Sequence, residues 1–221
     1  MISAILFDMD GTLMDSEKFW LRIPSIFLRE FGIEPPESCR PALGRLRYRA
    51  QLDALYAAGA YPKGMAYQEA VEWCRVKMDD FYYAGMPVKP CVRQWLDKIR
   101  AKGIPCAILT ATNEAGALRT LELTGLRQYF SFVASTFGAP FGKERPEYFV
   151  NAAKRLNVEA KDCLVVEDSL YAINSANQAG CRVFAIREDV HLPDVTAKIR
   201  AACPDYFMTV YDAMEAFAKL V

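Results

Sequence analysis

The sequence predicts an α/β fold in which a doubly wound parallel sheet carries an inserted helical segment. Short apolar runs alternate with amphipathic helical patterns along most of the 221 residues, and this alternation is typical of a parallel sheet covered by helices. Residues 16–85 interrupt the alternation with helical patterns alone. The apolar share of 52% and the charged share of 24% are those of a globular protein.

Apolar runs mark the predicted strands. The first run, ISAILF at 2–7, is apolar throughout and ends at an acidic residue. That composition is typical of a parallel strand with both faces buried. Further runs lie at 104–109, 132–134, 163–166, 181–186 and, weakly, 206–208.

Helical patterns lie between these runs. Two segments have apolar residues at i, i+3, i+4 and i+7: Val92/Trp95/Leu96/Ile99 and Phe149/Ala152/Ala153/Leu156. Pro146 suits the first turn of the second helix. Another helix is expected over 170–179, with Gly180 as its C-terminal cap.

The segment 16–85 is predicted to be a small helical domain inserted into a core formed by 1–15 and 86–221. It contains three helical patterns separated by turn residues. Pro24 lies inside the first pattern, Phe19/Trp20/Ile23/Phe27, and is expected to kink or split that helix.

Composition excludes several functional classes. With 27 basic and 27 acidic side chains the chain has no formal net charge, which argues against a nucleic-acid or membrane-surface partner. The seven cysteines are odd in number and form no C-x-x-C pair, so free thiols in a reducing cytoplasm are expected. Because His191 is the one histidine, a His-rich zinc site is excluded, and carboxylates or lysines are expected to move any catalytic protons.

Two acidic pairs follow predicted strands. Asp8 and Asp10 stand after the first run in FDMDGTLMDSE, and Glu167 and Asp168 follow the run at 163–166. Alone, the first pair is equally consistent with an acidic loop. Together the pairs lie at the same edge of a parallel sheet, where close carboxylates need a neutralising cation. Mg²⁺, which prefers carboxylate oxygens, is the predicted metal.

Two further features complete the predicted site. Thr110 ends a strand and is followed by Ala111, Thr112 and Asn113; these hydroxyl and amide groups suit either a helix cap or an anion site at a helix start. Lys143 lies in GAPFGKERPEYF, just before a helix. That segment is not a nucleotide P-loop, because one residue is missing between its glycines and Glu144 replaces the Ser or Thr.

The order of these motifs resembles the haloacid dehalogenase superfamily. The segments DMDGTLMDSE, GKERPEYF and EDS are similar to those of its β-phosphoglucomutase-like subgroup, and the helical insert resembles a C1 cap. The resemblance covers essentially the whole chain and implies a Rossmann-like core. It implies that Asp8 attacks phosphorus to form an aspartyl-phosphate, and that Asp10 acts as acid and then as base. Thr110 and Lys143 would hold the phosphoryl oxygens. Asp168 and Glu167 would bind Mg²⁺ with Asp8 and the backbone carbonyl of Asp10.

Departures from the subgroup bear on the reaction. Ala172 replaces a glycine after EDS, with little expected effect on the chemistry. Glu144 replaces a proline, and its charge would weaken the hold of Lys143 on phosphate if the two paired. Trp20 stands where the mutase has a cap histidine, which favours hydrolysis over phosphoryl transfer to a sugar.

The expected enzyme is therefore a Mg²⁺-dependent phosphatase of a small phosphorylated metabolite such as a sugar phosphate, with a β-phosphoglucomutase-like phosphomutase as the alternative. A dehalogenase would not need Asp10 or the metal site, and a receiver module has a different motif order. A non-catalytic binding protein is disfavoured by the complete set of motifs. The expected substrate contacts are Trp20, Arg47, Lys77, Ala111 and Asn113. A cytoplasmic monomer with no nucleic-acid or membrane partner is expected.

Overall fold

The structure, a computed structural model, describes residues 2–221. These residues divide into two compact units. One unit combines the segment that ends at Asp15 with Gly85–Val221, and the other is Ser16–Ala84.

The first unit is built on a six-stranded parallel sheet with the strand order β3-β2-β1-β4-β5-β6. Its strands are β1 (Ala4–Phe7), β2 (Cys106–Thr110), β3 (Val133–Ser135), β4 (Cys163–Glu167), β5 (Arg182–Ile186) and β6 (Tyr206–Phe207). The predicted α/β fold class is confirmed. Strand β1 lies in the interior, between β2 and β4, at the point where the strand order reverses. Open α/β sheets bind their ligands at such switch points.

Helices cover both faces of the sheet. They are α4 (Val92–Ala101), α5 (Glu114–Leu123), α6 (Pro146–Arg155), α7 (Leu170–Gln178), α8 (Pro193–Ala202) and α9 (Val210–Ala218). Side chains alternate along each strand. Leu6 therefore packs in one buried cluster with residues of α6, α7 and α8, whereas Phe7 on the other face contacts Trp95 of α4 edge to face. The sheet is thus a buried scaffold whose carboxyl ends remain available for a site.

The second unit is helical. It contains α1 (Glu17–Glu30), α2 (Tyr48–Ala57) and α3 (Tyr67–Ala84), and these helices pack against one another. Gln51 of α2 is fully buried, and its side-chain amide donates to the Leu21 and Leu46 carbonyls. The side-chain oxygen of Gln51 accepts from the Gly44 N–H. One buried amide therefore ties α2 to α1 and to the preceding loop.

Of the two effects expected of Pro24, a kink or a split, the split is wrong, because α1 runs unbroken from Glu17 to Glu30. Proline removes one backbone hydrogen bond from a helix. Here the turns on both sides of Pro24 are held by burial of Ile23, Phe27 and Leu28. None of the helices in residues 2–221 combines the length and apolar character that crossing a bilayer requires.

Candidate active site

The carboxyl ends of four neighbouring strands carry the polar residues of the motifs. Asp8 follows β1, Thr110 ends β2 and Glu167 ends β4. The Asp8 N–H donates to the Val166 carbonyl at 2.9 Å, which fixes the exit of β1 beside β4. Lys143 comes from the loop between β3 and α6. The parallel sheet thus gathers residues that are far apart in the chain.

Three of these carboxylates form a compact acidic group. Asp8, Glu167 and Asp168 each offer an oxygen within 4.8 Å of the others. All three side chains are buried. The Lys143 ammonium, which is also buried, lies 2.5 Å from both Asp8 Oδ1 and Glu167 Oε1. Lys143 therefore links the exits of β1 and β4.

The second oxygen of Glu167 is held by the backbone. Glu167 Oε2 accepts from the N–H groups of Asp168 and Ser169, at 2.6 Å each. These bonds fix the turn between β4 and α7. The carboxylate of Glu167 thus positions both Lys143 and the neighbouring Asp168.

Burial governs the ionisation of the group. Burial, and then the charge of Glu167, raise the pKa of Asp8 well above its usual range, and Lys143 only partly offsets them. Burial likewise raises the pKa of Glu167 against the lowering effect of Lys143. For Lys143, burial alone would lower the pKa, but Asp8 and Glu167 raise it well above its usual value.

The group fits a divalent cation. Three carboxylates against one ammonium leave a formal excess of two negative charges when all are ionised. Asp8 Oδ2 is buried and has no hydrogen-bond partner. A buried carboxylate oxygen without a donor is costly, and a hard cation such as Mg²⁺ would satisfy it. Asp8, Glu167 and Asp168 are the side chains that would hold such an ion.

Asp10 is not part of this acidic group. Its Oδ2 accepts from Thr112 Oγ1 at 2.6 Å and lies 3.5 Å from Thr110 Oγ1. Thr110 Oγ1 also accepts from the Thr112 N–H. The sequence analysis expected Thr112 to serve a helix cap or an anion site and did not place its hydroxyl against Asp10. The sequence signal for this contact was the pair of hydroxyl residues Thr110 and Thr112, which stand two positions apart at the end of β2.

Gly11 allows the turn that brings the first motif to the site. Its φ of +79° lies in the left-handed region, which glycine adopts without steric cost. A Cβ at this position would lie 3.1 Å from Asp168 Oδ2 and 3.3 Å from Glu188 Oε2. Position 11 therefore requires glycine for two reasons: the positive φ, and the lack of room for a Cβ.

Glu144 does not pair with Lys143. Its Oε1 accepts from the Gly142 N–H at 2.9 Å, and this backbone hydrogen bond lowers the pKa of Glu144. Glu144 is exposed and folds back onto Gly142, whereas the Lys143 ammonium contacts Asp8 and Glu167. The replacement of the proline therefore leaves the ammonium in place.

The predicted substrate contacts are distributed over both units. In the first unit, Ala111 is exposed, and Asn113 Oδ1 accepts from the Gly116 N–H as the cap of α5. In the helical unit, the Trp20 indole N–H donates to the Tyr82 hydroxyl at 3.2 Å, and Lys77 pairs with Asp80 at 3.0 Å.

Arg47 is exposed at the start of α2. Tyr48, the next residue, has its ring centroid 4.9 Å from that of Trp20. The helical unit therefore presents a cation close in sequence to a pair of aromatic rings.

Three more polar residues border the acidic group, and the sequence analysis assigned none of them to it. His191 Nε2 lies 3.4 Å from Asp168 Oδ2. Glu188 Oε2 accepts from Lys89 Nζ at 2.6 Å. These residues belong to no recognised motif, and their contacts are long-range, so no local pattern could have placed them.

Comparison with known proteins gives consistent results. The family model for haloacid dehalogenase-like hydrolases matches residues 2–180. Hexitol phosphatase B of Escherichia coli (strain K12) is 26% identical over 186 residues, which cover 84% of this chain and 83% of that protein. A phosphoglycolate phosphatase of Nitrosospira multiformis is 27% identical over 188 residues, with coverages of 84% and 83%.

A solved structure of β-phosphoglucomutase from Clostridium difficile shares the fold. It superposes with a TM-score of 0.68 at 20% identity and covers 96% of this chain and 93% of its own. Fold similarity at this level does not distinguish a phosphatase from a mutase.

Proposed function

Since the chain belongs to the haloacid dehalogenase-like hydrolases, we propose that it is a Mg²⁺-dependent phosphatase of a small phosphorylated metabolite, in the class of sugar phosphates. The observation that carries this proposal is the buried group of Asp8, Glu167 and Asp168 around Lys143. The phosphatase names of the relatives support hydrolysis. Bound to the acidic group, Mg²⁺ would neutralise the charges of the carboxylates and of the phosphoryl oxygens.

Asp8 is the proposed nucleophile. One of its carboxylate oxygens attacks phosphorus, the P–O bond to the substrate alcohol breaks, and an aspartyl-phosphate forms. Lys143 holds Asp8 Oδ1 and brings its positive charge to the phosphoryl group. A carboxylate nucleophile divides a hard hydrolysis into two easier steps.

Asp10 is the proposed acid and base. It gives a proton to the departing alcohol oxygen and then takes one from the water that attacks the aspartyl-phosphate. The P–O bond to Asp8 breaks, and inorganic phosphate leaves. Thr112 fixes the Asp10 carboxylate through the 2.6 Å hydrogen bond, so this carboxylate serves proton transfer, while the Asp10 backbone carbonyl is the proposed metal ligand.

Water is the proposed acceptor of the phosphoryl group, because position 20 holds a tryptophan and not a histidine. An imidazole at this position would help a sugar hydroxyl compete with water, whereas an indole has no basic nitrogen. The Trp20 N–H is already donated to Tyr82. Trp20, Arg47 and Lys77 are the proposed substrate contacts of the helical unit, which would act as a lid that excludes water. Ala111 and Asn113 are the proposed contacts of the core.

The protein is proposed to work as a monomer in the cytoplasm. All seven cysteines are free thiols, and six of them are buried, which agrees with a reducing compartment. Light scattering of the purified protein tests the oligomeric state.

The central test is p-nitrophenyl phosphate turnover with Mg²⁺ and with a chelator. We expect turnover to require Mg²⁺ and to be abolished by Asp8→Asn. Asp162→Asn is the matched control, because this residue immediately precedes β4, at the opposite edge of the sheet. Metal-independent turnover, or an active Asp8→Asn variant, would refute the mechanism. A panel of phosphorylated metabolites then identifies the substrate. Conversion of β-glucose 1-phosphate to glucose 6-phosphate without phosphate release would favour the mutase.

A further inference from the structure

His191 lies against a proposed metal ligand although it belongs to none of the motifs. It stands in the loop between β5 and α8. Its side chain is 4% exposed, and its Nε2 lies 3.4 Å from Oδ2 of Asp168, whose side chain is 3% exposed. A loop imidazole buried against a carboxylate at this distance constrains where that carboxylate can point.

The loop that carries His191 is anchored to the turn of the first motif. Glu188 Oε2 accepts from Lys89 Nζ at 2.6 Å. The Lys89 N–H in turn donates to the Leu13 carbonyl at 2.9 Å. The His191 N–H donates to the Glu188 carbonyl at 3.2 Å, so the backbone at His191 is tied through Glu188 and Lys89 to the segment that carries Asp8 and Asp10.

Lys89 also prevents Glu188 from adding an unpaired negative charge beside Asp168. Glu188 Oε2 and Asp168 Oδ2 both lie within 3.3 Å of the position that a Cβ of Gly11 would occupy. Both side chains of the Lys89–Glu188 pair are at least 86% buried, with exposures of 14% and 9%. The surroundings of Asp168 thus comprise a neutralised ion pair on one side and an imidazole next to Oδ2.

We propose that His191 is a positioning residue that holds the Asp168 carboxylate in the orientation in which it binds Mg²⁺. The inference rests on the proposed Mg²⁺-dependent phosphatase. Residues that contact metal ligands without touching the metal orient those ligands, and their removal typically costs about 10–100-fold in metal affinity. The Asp168 side chain has a second contact, from Ser169 Oγ to Oδ1 at 3.3 Å. His191 adds the constraint at the other oxygen.

The test compares His191→Leu with His191→Gln. Leucine fills a similar volume but has no donor, whereas the glutamine amide places a nitrogen near the position of Nε2. Leu192→Ala is the matched control, because Leu192 is the next residue in the loop and its side chain is exposed. For each protein, the melting temperature is measured against MgCl2 concentration, which gives the half-saturating Mg²⁺ concentration without an activity assay. The melting temperature in chelator reports any loss of stability separately.

We expect the half-saturating Mg²⁺ concentration to rise about 10–100-fold in His191→Leu and to stay at the wild-type value in His191→Gln and Leu192→Ala. Should the leucine variant not fold, His191→Asn replaces it, because its shorter amide does not reach the Nε2 position and should behave as leucine does. A purely structural role would lower the melting temperature in chelator and leave the Mg²⁺ half-saturation unchanged, which would overturn the inference. A wild-type protein whose melting temperature does not respond to Mg²⁺ would instead refute the proposed metal dependence.

Discussion

The buried ion pairs of Lys143 with Asp8 and Glu167 are expected to make the stability of the core strongly sensitive to loss of the lysine charge. In Lys143→Met the apolar stem is retained and the charge is lost, so that Asp8 and Glu167 remain buried without their counter-charge. Removing one partner of a buried ion pair typically costs about 3–5 kcal/mol. In a protein of this size, 1 kcal/mol shifts the melting temperature by about 2–4 °C. We therefore expect the melting temperature of the chelated protein to fall by about 6–20 °C.

The matched control is Lys161→Met. Lys161 and Glu159 are separated by 2.5 Å, the same distance as in the Lys143 pairs, but their side chains are 70% and 72% exposed. Solvent screens such a pair, so no measurable change in melting temperature is expected. Adding Asp8→Asn to Lys143→Met removes one of the two carboxylates that the loss of Lys143 leaves without a counter-charge. The double variant should therefore recover part of the lost stability.

The assay is thermal unfolding followed by circular dichroism, in chelator at one fixed pH. Equal melting temperatures for Lys143→Met and Lys161→Met would refute the argument that burial sets the strength of these pairs. A double variant less stable than Lys143→Met alone would show that the uncompensated carboxylate is not the source of the loss.

Three further predictions concern other parts of the core. Thr112→Val should lower kcat by about tenfold or more, because a charged hydrogen bond of about 1.5–3 kcal/mol to Asp10 is lost; an unchanged kcat in steady-state kinetics would contradict the role of Thr112. Gly11→Ala should impair Mg²⁺ binding in calorimetry far more than Gly103→Ala, since both have a positive φ but only the former Cβ would meet neighbouring atoms within 4 Å; equal effects would show that backbone strain alone matters. Iodoacetamide should label Cys91 first, because the other six thiols are buried; rapid labelling of any other cysteine in the native protein, measured by mass spectrometry, would contradict this burial pattern.

The sheet was predictable from sequence because its strands are apolar on both faces. β1, β2, β4 and β5 follow the apolar runs closely, since burial on both sides favours apolar residues throughout. The polar residues of these strands stand at strand ends: Thr110, Glu167 and Arg182. Helix α8 has only one buried residue, Ile199, and so shows no apolar stripe to detect. Helix α9 was overlooked although its capping box, Thr209 with Asp212, is a recognisable local pattern.

The site residues of the core predicted from sequence stand either at strand ends or, like Lys143, in a segment that carries the family resemblance. Asp8 and Glu167 are placed by the sheet itself, because parallel strands share one carboxyl edge. The contacts of His191 and Glu188 depend instead on the path of the loop after β5, and the partner of Glu188 is 99 residues away in the chain. No periodicity or spacing records such a contact.

The two crossings between the core and its insert lie side by side. The Asp15 N–H donates to the Pro87 carbonyl at 2.8 Å, and Met14 and Val88 form an antiparallel bridge. The core therefore closes on itself at the base of the insert, much as a hairpin closes beneath its loop. A different helical or β domain whose termini lie close together could replace the insert at this point without changing the strand order of the sheet. Such an exchange would leave the buried group of Asp8, Glu167, Asp168 and Lys143 unchanged, since all four belong to the core unit.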